Sequence, residues 1–169
     1  MFSRFINFVD WLNERVGTFA ACFTTVLVLV ICMDVVSRYL FQETAVWIVE
    51  LEWHLFALIF LLSGGYALKH DKHVRVDLFY AKFSKRDKAL LNLFGSVVFL
   101  IPWCLVLMYY AFQFAYLSFL DGEGSPNPGG LPARYFIKSM IALGLFLLLL
   151  QAMAIAARSI QTLQQTEEA

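Results

Sequence analysis

The length of its uncharged apolar stretches constrains this chain more than any other feature. The longest, Ala89 to Leu120, contains 32 residues without an Asp, Glu, Lys or Arg, and another contains 19 between Lys138 and Arg158. A transmembrane helix needs about 20 mainly apolar residues to cross a hydrocarbon core about 30 Å thick. Since 60% of the residues are hydrophobic and only 15% are charged, the sequence predicts an all-α integral membrane protein.

The apolar pattern predicts a single membrane domain over residues 1–169 with four transmembrane helices. We expect these helices at 17–41, 46–68, 89–120 and 137–157, with connecting loops at 69–88 and 121–136. The third would measure about 48 Å as a helix, so we expect it to tilt, to kink at Pro102 or to project from the membrane. Residues 1–16 alternate apolar and polar side chains at helical spacing, which predicts an amphipathic interfacial helix. Packing of this first helix on other protein is the alternative.

Positively charged residues are distributed unequally between the two longer loops. The loop at 69–88 contains seven: Lys69, Lys72, Arg75, Lys82, Lys85, Arg86 and Lys88. The connector DGEGSPNPGG between the third and fourth spans contains none. The positive-inside rule therefore places the loop at 69–88 and both termini in the cytoplasm, and the loop at 121–136 on the outer side.

Several ionisable residues fall inside the predicted spans, where an unpaired charge is costly. Asp34 and Arg38 have the i, i+4 spacing of a same-face ion pair. Arg38 near the end of the first span and Glu50 near the start of the second lie at similar depths. We therefore predict a network of Asp34, Arg38 and Glu50 that fixes how the first two spans cross.

The second span begins with WIVELEWHLF, Trp47 to Phe56, and its polar residues do not share one face. Glu50, Ala57 and Gly64 are seven residues apart, so they lie nearly in line, with His54 beside them. Polar and small residues in such a stripe are typical of helix interfaces in membranes. Glu52 points about 200° away from Glu50, toward another subunit or the headgroup layer. Alternatively, the tryptophans mark the membrane interface and all these polar groups are hydrated.

The sequence argues against several classes of function. A formal net charge of zero disfavours binding to nucleic acid. Cys22, Cys32 and Cys104 lack C-x-x-C spacing, which disfavours a zinc site, and His54 is the only histidine in a span, too few for a haem bound by two histidines. His70 and His73 have a spacing that suits a metal, although such a pair beside charged residues is more often a hydrated turn. No nucleophile stands in the outer polar cluster, so we expect no enzymatic activity and no bound cofactor.

A self-contained transporter is also disfavoured, because the chain shows no internal repeat and no ionisable residue near the middle of its third and fourth spans. The pattern favours a helper subunit that packs on a larger protein. A standalone homo-oligomeric channel, the membrane anchor of a redox enzyme and a general assembly factor stay open as alternatives.

Three segments occur in an order that resembles the small membrane subunit of tripartite ATP-independent periplasmic (TRAP) transporters. They are RYLF at 38–41, WIVELEWHLF at 47–56 and HVRVDLF at 73–79. Downstream, PGGLPARYFIKS at 128–139 resembles a branch often labelled for mannitol or chloroaromatic compounds. The resemblance extends over about residues 17–158.

The resemblance implies an accessory subunit in the bacterial cell inner membrane. Its partners would be a large multi-span transport subunit, a periplasmic substrate-binding protein and membrane lipids. The complex would use a sodium gradient to import an organic acid or related solute, with substrate and sodium held by the large subunit and not by this chain. The small subunit would brace the large one and help to dock the binding protein.

Two further groups of residues gain a role from this resemblance. His73, Arg75 and Asp77 would clamp the cytoplasmic end of the second span, although an ordinary amphipathic loop is the alternative. In and after the outer loop, Asp121, Glu123, Arg134 and Lys138 would meet charges on the binding protein, where charge complementarity speeds encounter and sets specificity. A hydrated loop without a partner is the alternative there.

Overall fold

The computed structural model describes residues 2–42, 45–70 and 83–167, and the secondary structure within these ranges is helical, without a β-strand. Four long helices make up the fold: α1 (Phe2–Phe41), α2 (Val46–Lys69), α3 (Lys85–Leu120) and α4 (Arg134–Glu167). Each is long and apolar enough to cross a membrane. The predicted all-α class and the prediction of four helices long enough to cross a membrane are therefore confirmed for the described residues.

The helix α1 runs without interruption through the predicted boundary between an interfacial helix at 1–16 and a first span at 17–41. Its 40 residues extend about 60 Å, twice the thickness of the hydrocarbon core. Near its start, Ile6 and Val9 are buried against Ala154 and Ala157 of α4. This part of α1 thus packs on protein, and a position along the membrane surface stays a prediction.

The helix α3 contains a π-helical segment at Gly95–Leu100, directly before Pro102, where we expected an irregularity. Proline has no backbone N–H and its ring crowds the carbonyl group four residues earlier, so a regular α-helix cannot continue undisturbed. The wider π turn accommodates this proline, with the Ile101 N–H donating to the carbonyl oxygen of Ser96. At its start, α3 is capped by Ser84, whose Oγ accepts from the Asp87 N–H at 3.2 Å.

The helix α4 lies at the centre of the bundle and packs on α1, α2 and α3, while α1 also packs on α2. One core cluster joins three helices through Ala20 of α1, Leu62 of α2 and Leu147 of α4. We call the end with Phe2, Lys69, Lys85 and Glu167 the terminal end, and the end where α1 finishes and α2 begins the loop end. Which of them faces the cytoplasm stays a prediction.

Three glycines allow the helices to approach closely. A Cβ atom on Gly144 would lie 2.6 Å from the carbonyl oxygen of Leu61, and one on Gly17 would meet the ring of Tyr66 at 2.5 Å. A Cβ atom on Gly65 would overlap the side chain of Asn13, whereas a Cβ on Gly64 would meet nothing within 4 Å. Gly64 therefore makes no close helix contact among the described residues, and its role at an interface with another subunit stays a prediction. Within the described helices the close contact falls to the neighbouring Gly65, which lies about 100° around α2 from Gly64.

Candidate functional site

The side chain of Glu50 binds the connection between α3 and α4 at the loop end. Although it belongs to α2, Glu50 is only 4% exposed. Its Oε2 accepts from the backbone N–H of Leu131 at 2.6 Å, while Oε1 accepts from the hydroxyl of Ser125 and from Asn127 Nδ2 at 3.4 Å. The guanidinium of Arg134 lies 3.8 Å from the same carboxylate. A single buried carboxylate thus holds a connection about 80 residues away in the chain.

The connection at 121–133 has a defined backbone shape of its own. Its central turn places Pro128 second and Gly129 third, with φ of +78° at the glycine, and the N–H of Gly130 donates to the carbonyl oxygen of Asn127 at 3.0 Å. Proline followed by a positive-φ glycine is typical of a type II turn. A hydrogen bond of 3.0 Å from Ser125 N–H to the Leu131 carbonyl closes the base of the turn. The turn chemistry and Glu50 together shape this part of the loop end.

Three of the four residues predicted to dock a binding protein are engaged within the chain. Lys138 pairs with Glu123 and also lies 3.9 Å from the ring centroid of Phe114. Arg134, besides facing the Glu50 carboxylate, lies 5.7 Å from the Trp53 ring centroid. The ammonium of Lys138 holds the pKa of Glu123 below its usual range. Asp121 is exposed at the end of α3.

The predicted network of Asp34, Arg38 and Glu50 forms only in part. Arg38 pairs with Asp34 at the expected i, i+4 spacing. Glu50, however, belongs to the cluster around Arg134, and the described residues contain no ion pair between it and Arg38. The prediction that Glu50 fixes the crossing of the first two spans is wrong, because the α3–α4 connection supplies closer donors than α1 does.

A groove between α1 and α2 contains Glu52. We call it the α1–α2 groove; it has a volume of about 600 Å³ and is lined by Ile31, Asp34, Val35, Arg38, Tyr39, Gln42 and Glu52. Asp34 is 1% exposed, whereas the side chain of Arg38 is 51% exposed. One oxygen of each acid, Asp34 Oδ1 and Glu52 Oε1, is buried without a hydrogen-bond partner among the described residues.

Two other residues of the predicted α2 stripe, His54 and Ala57, contact neighbouring parts of this chain. His54 donates from Nδ1 to the carbonyl oxygen of Glu50 at 2.5 Å, within the same helix, and its ring stacks on Trp53 with centroids 3.9 Å apart. Ala57 lines an apolar cleft of about 420 Å³ between α2, α3 and α4. His73, Arg75 and Asp77, the predicted clamp, lie outside the described residues.

A second polar network joins three helices at the terminal end. Gln151 of α4 accepts from the Asn13 amide at 2.9 Å and donates to Asp10 at 3.0 Å, and both amide side chains are fully buried. Arg158 pairs with Asp10 at 2.6 Å. From α2, Lys69 pairs with Glu14 at 2.5 Å and donates to the Asp10 carbonyl oxygen at 3.1 Å, while His70 lies 2.9 Å from the Glu14 carboxylate. This network fastens α1 to both α2 and α4.

The helical spacing of polar residues on α1 and α4 is consistent with the terminal-end network, which the sequence analysis does not predict. Gln151 and Arg158 are seven residues apart and so share a face of α4. On α1, Asp10, Asn13 and Glu14 form the matching i, i+3, i+4 group. We assigned the α1 group to the polar face of an interfacial helix, whereas the structure buries Asn13 completely.

Metal binding has no obvious site in the described part of the chain. No group of three or more His, Cys, Asp or Glu side chains there is placed to hold an ion. The two polar networks and the α1–α2 groove are the chemically distinctive features of the described residues. The networks bond helix to helix and helix to loop, whereas the ion pair of the groove lies within α1.

The comparisons with known proteins identify a family. The family model described as "Tripartite ATP-independent periplasmic transporters, DctQ component" matches residues 27–162. The matched range includes α2, α3, the α3–α4 connection, most of α4 and the later part of α1 from residue 27. It therefore includes Glu50, Arg134 and the α1–α2 groove. No curated protein matches the chain.

Proposed function

We propose that this chain, which belongs to the DctQ component family of tripartite ATP-independent periplasmic transporters, is the non-catalytic scaffold subunit of its transporter. The transporter is a sodium-coupled secondary importer, a symporter, of an organic acid or related small solute. In this proposal a large multi-span subunit holds the solute and sodium, and a periplasmic protein delivers the solute. The chain spans the bacterial inner membrane four times, with both termini in the cytoplasm.

The family match over residues 27–162 carries this proposal, and the placement of charge supports the scaffold role. In each of the four helices, Asp, Glu, Lys, Arg and His are confined to the parts near the ends, and the central part has none. Transporters that bind a solute themselves place ionisable groups near the membrane midplane. Here the charged groups instead connect helices, as Arg158 and Lys69 do at Asp10.

We place the docking of the binding protein at the loop end. Glu50 gives the connection at 121–133 a fixed shape, so little conformational entropy is lost when a partner binds it. Asp121 is the predicted docking residue that stays exposed, and Glu123, Arg134 and Lys138 act by shaping the surface. Charge reversal in Asp121→Lys should slow association with the binding protein, because a rim charge mainly affects the association rate.

The proposal is tested by reconstitution with the partners. The chain is co-expressed with the large subunit of its transporter, purified in mild detergent and placed in vesicles with the purified binding protein. We expect solute uptake driven by a sodium gradient only when all three components are present. Solute flux or ion current from this chain alone would instead identify a channel, and a haem absorbance band would identify a redox anchor; either result would reject the proposal.

A further inference from the structure

The exposed apolar surface of the bundle has two chemically different parts. On α3, the exposed side chains are aromatic and aliphatic, and the stretch from Ala89 to Leu120 contains no Asp, Glu, Lys, Arg or His. Such a surface faces hydrocarbon without electrostatic cost. The α1–α2 groove instead contains three charged residues, Asp34, Arg38 and Glu52, among apolar side chains.

The hydrogen bonding inside this groove is incomplete. Asp34 Oδ1 and Glu52 Oε1 are buried and have no partner among the described residues, a state that is costly for a carboxylate. The two carboxylates and the guanidinium of Arg38 carry a net charge of −1. The missing partner is therefore a hydrogen-bond donor, and a cationic one completes the charge balance as well.

The depth of the groove favours a protein side chain over a lipid headgroup as this donor. Asp34 lies seven residues before the end of α1 at Phe41, and Glu52 lies six residues after Val46, where α2 begins. These separations correspond to about 10 Å below the helix ends. A headgroup stays near the ends of the helices, whereas a neighbouring transmembrane helix presents side chains at every depth.

The surface of α1 beside the groove suits such a helix. Ala21, Thr25, Val28 and Cys32 recur every three or four residues, so they form one stripe, and all four are exposed. Small and β-branched side chains let two membrane helices approach closely. The stripe continues through Val35 and Tyr39, which line the groove.

We propose that a transmembrane helix of the large transporter subunit packs along this stripe of α1 and places a basic side chain in the α1–α2 groove, where it donates to Glu52. The inference rests on the proposed function, because it takes the large subunit as the partner. Beyond the proposed function, the inference specifies which face of this chain the large subunit covers and which side chains form the contact.

Site-specific crosslinking tests the covered face. A photoreactive amino acid replaces Val35 in the full chain co-expressed with the large subunit, and Val106 of α3 is the matched control, since the two valines are 45% and 52% exposed. We expect crosslinks to the large subunit from position 35 and not from position 106. Crosslinks from position 106 alone, or from position 35 only to lipid or to a second copy of this chain, would overturn the inference while the purified complex still supported the proposed function. Failure of the wild-type chain to bind the large subunit would reject both.

Substitution of the acid tests the chemistry. Glu52→Gln keeps the shape of the side chain and removes its charge, and we expect the affinity for the large subunit to fall about tenfold or more, as on loss of a charged hydrogen bond. Asp87→Asn, an exposed acid near the terminal end, is the control and should bind like the wild type. Unchanged affinity of Glu52→Gln would contradict the predicted contact, and helical content measured on the same samples verifies that each variant is folded.

Discussion

Gly144→Ala tests the close packing of α4 on α2, on which the central position of α4 depends. A Cβ at position 144 would lie 2.6 Å from the carbonyl oxygen of Leu61, whereas ordinary van der Waals contact begins at 3.4 Å. The difference means that the two backbones have to move apart by about 0.8 Å at this point. A backbone carbonyl cannot turn away as a flexible side chain can, so the strain spreads to neighbouring contacts of the interface.

The matched control is Gly64→Ala, since a Cβ at position 64 meets nothing within 4 Å. Replacing glycine by alanine stabilises a helix by up to about 1 kcal/mol through its higher helix propensity. This contribution is the same for both variants and cancels when they are compared. What remains is the cost of overpacking, about 1–3 kcal/mol. At about 2–4 °C per kcal/mol for a chain of this size, Gly144→Ala should melt several degrees below Gly64→Ala.

Thermal unfolding of both variants and the wild type, followed by circular dichroism in one detergent, measures this difference. Gly64→Ala should melt at or above the wild-type temperature. Equal melting temperatures for the two variants, or a lower one for Gly64→Ala, would show that α2 and α4 do not pack as described.

Three further predictions concern the polar groups. Gln151→Ala removes one of the two hydrogen bonds donated by the buried Asn13 amide, which also donates to the Val9 carbonyl oxygen, and we expect this to cost about 1–3 kcal/mol in denaturant unfolding. Gln113→Ala on the exposed face of α3 should cost less. Glu50→Gln weakens the bonds to the α3–α4 connection, so hydrogen exchange should rise at 121–133 more than elsewhere. Lys138 holds the pKa of Glu123 below its usual value; the stabilisation is thus present above the ordinary glutamate pKa of about 4.3 and is lost as the pH falls through the lowered folded value. The melting temperature of the wild type should exceed that of Glu123→Gln at pH 7, and the difference should shrink in acid.

Each of these results has a contrary outcome. Equal costs for the two glutamine variants would mean that the terminal-end network adds nothing to stability. A uniform rise in exchange after Glu50→Gln would indicate general unfolding instead of release of the connection. A difference between wild type and Glu123→Gln that did not change with pH would assign the effect to packing.

The helices could be predicted because each one depends on residues that are close together in the sequence. An uncharged run such as 89–120 is long enough to span a bilayer whatever surrounds it, and the pairing of Asp34 with Arg38 follows from the spacing within one helix. The rotation of each helix was not predictable in the same way. When all faces of a helix are apolar, periodicity does not say which one meets a neighbour, and a rotation of about 100° exchanges Gly64 for Gly65 at the interface.

The spacing of polar residues indicates a polar face on α1 and on α4, but the individual partners of Glu50 and Asn13 could not be predicted, for a different reason. Glu50 binds Leu131, and Asn13 binds Gln151, across 81 and 138 residues of chain. Contacts this distant in the sequence depend on how four helices assemble. For Glu50, sequence proximity suggested Arg38, but the α3–α4 connection offers a backbone N–H and a hydroxyl, and these lie within bonding distance of its carboxylate.

The proposed scaffold role requires a rigid part and an exposed surface that a partner can bind. In this bundle the two lie in different places. At the terminal end, Asp10 links α1 to α2 and α4, and at the loop end Glu50 links α2 to the α3–α4 connection. Between these ends, backbones touch at Gly144, where neither helix can shift without the other. The later half of α1 has mainly exposed side chains, and the unsatisfied carboxylates lie beside it. In the proposed complex, this edge of the bundle gains the hydrogen bonds that the described residues leave unmade when the large subunit binds there. Binding would then also stabilise the folded state of this chain.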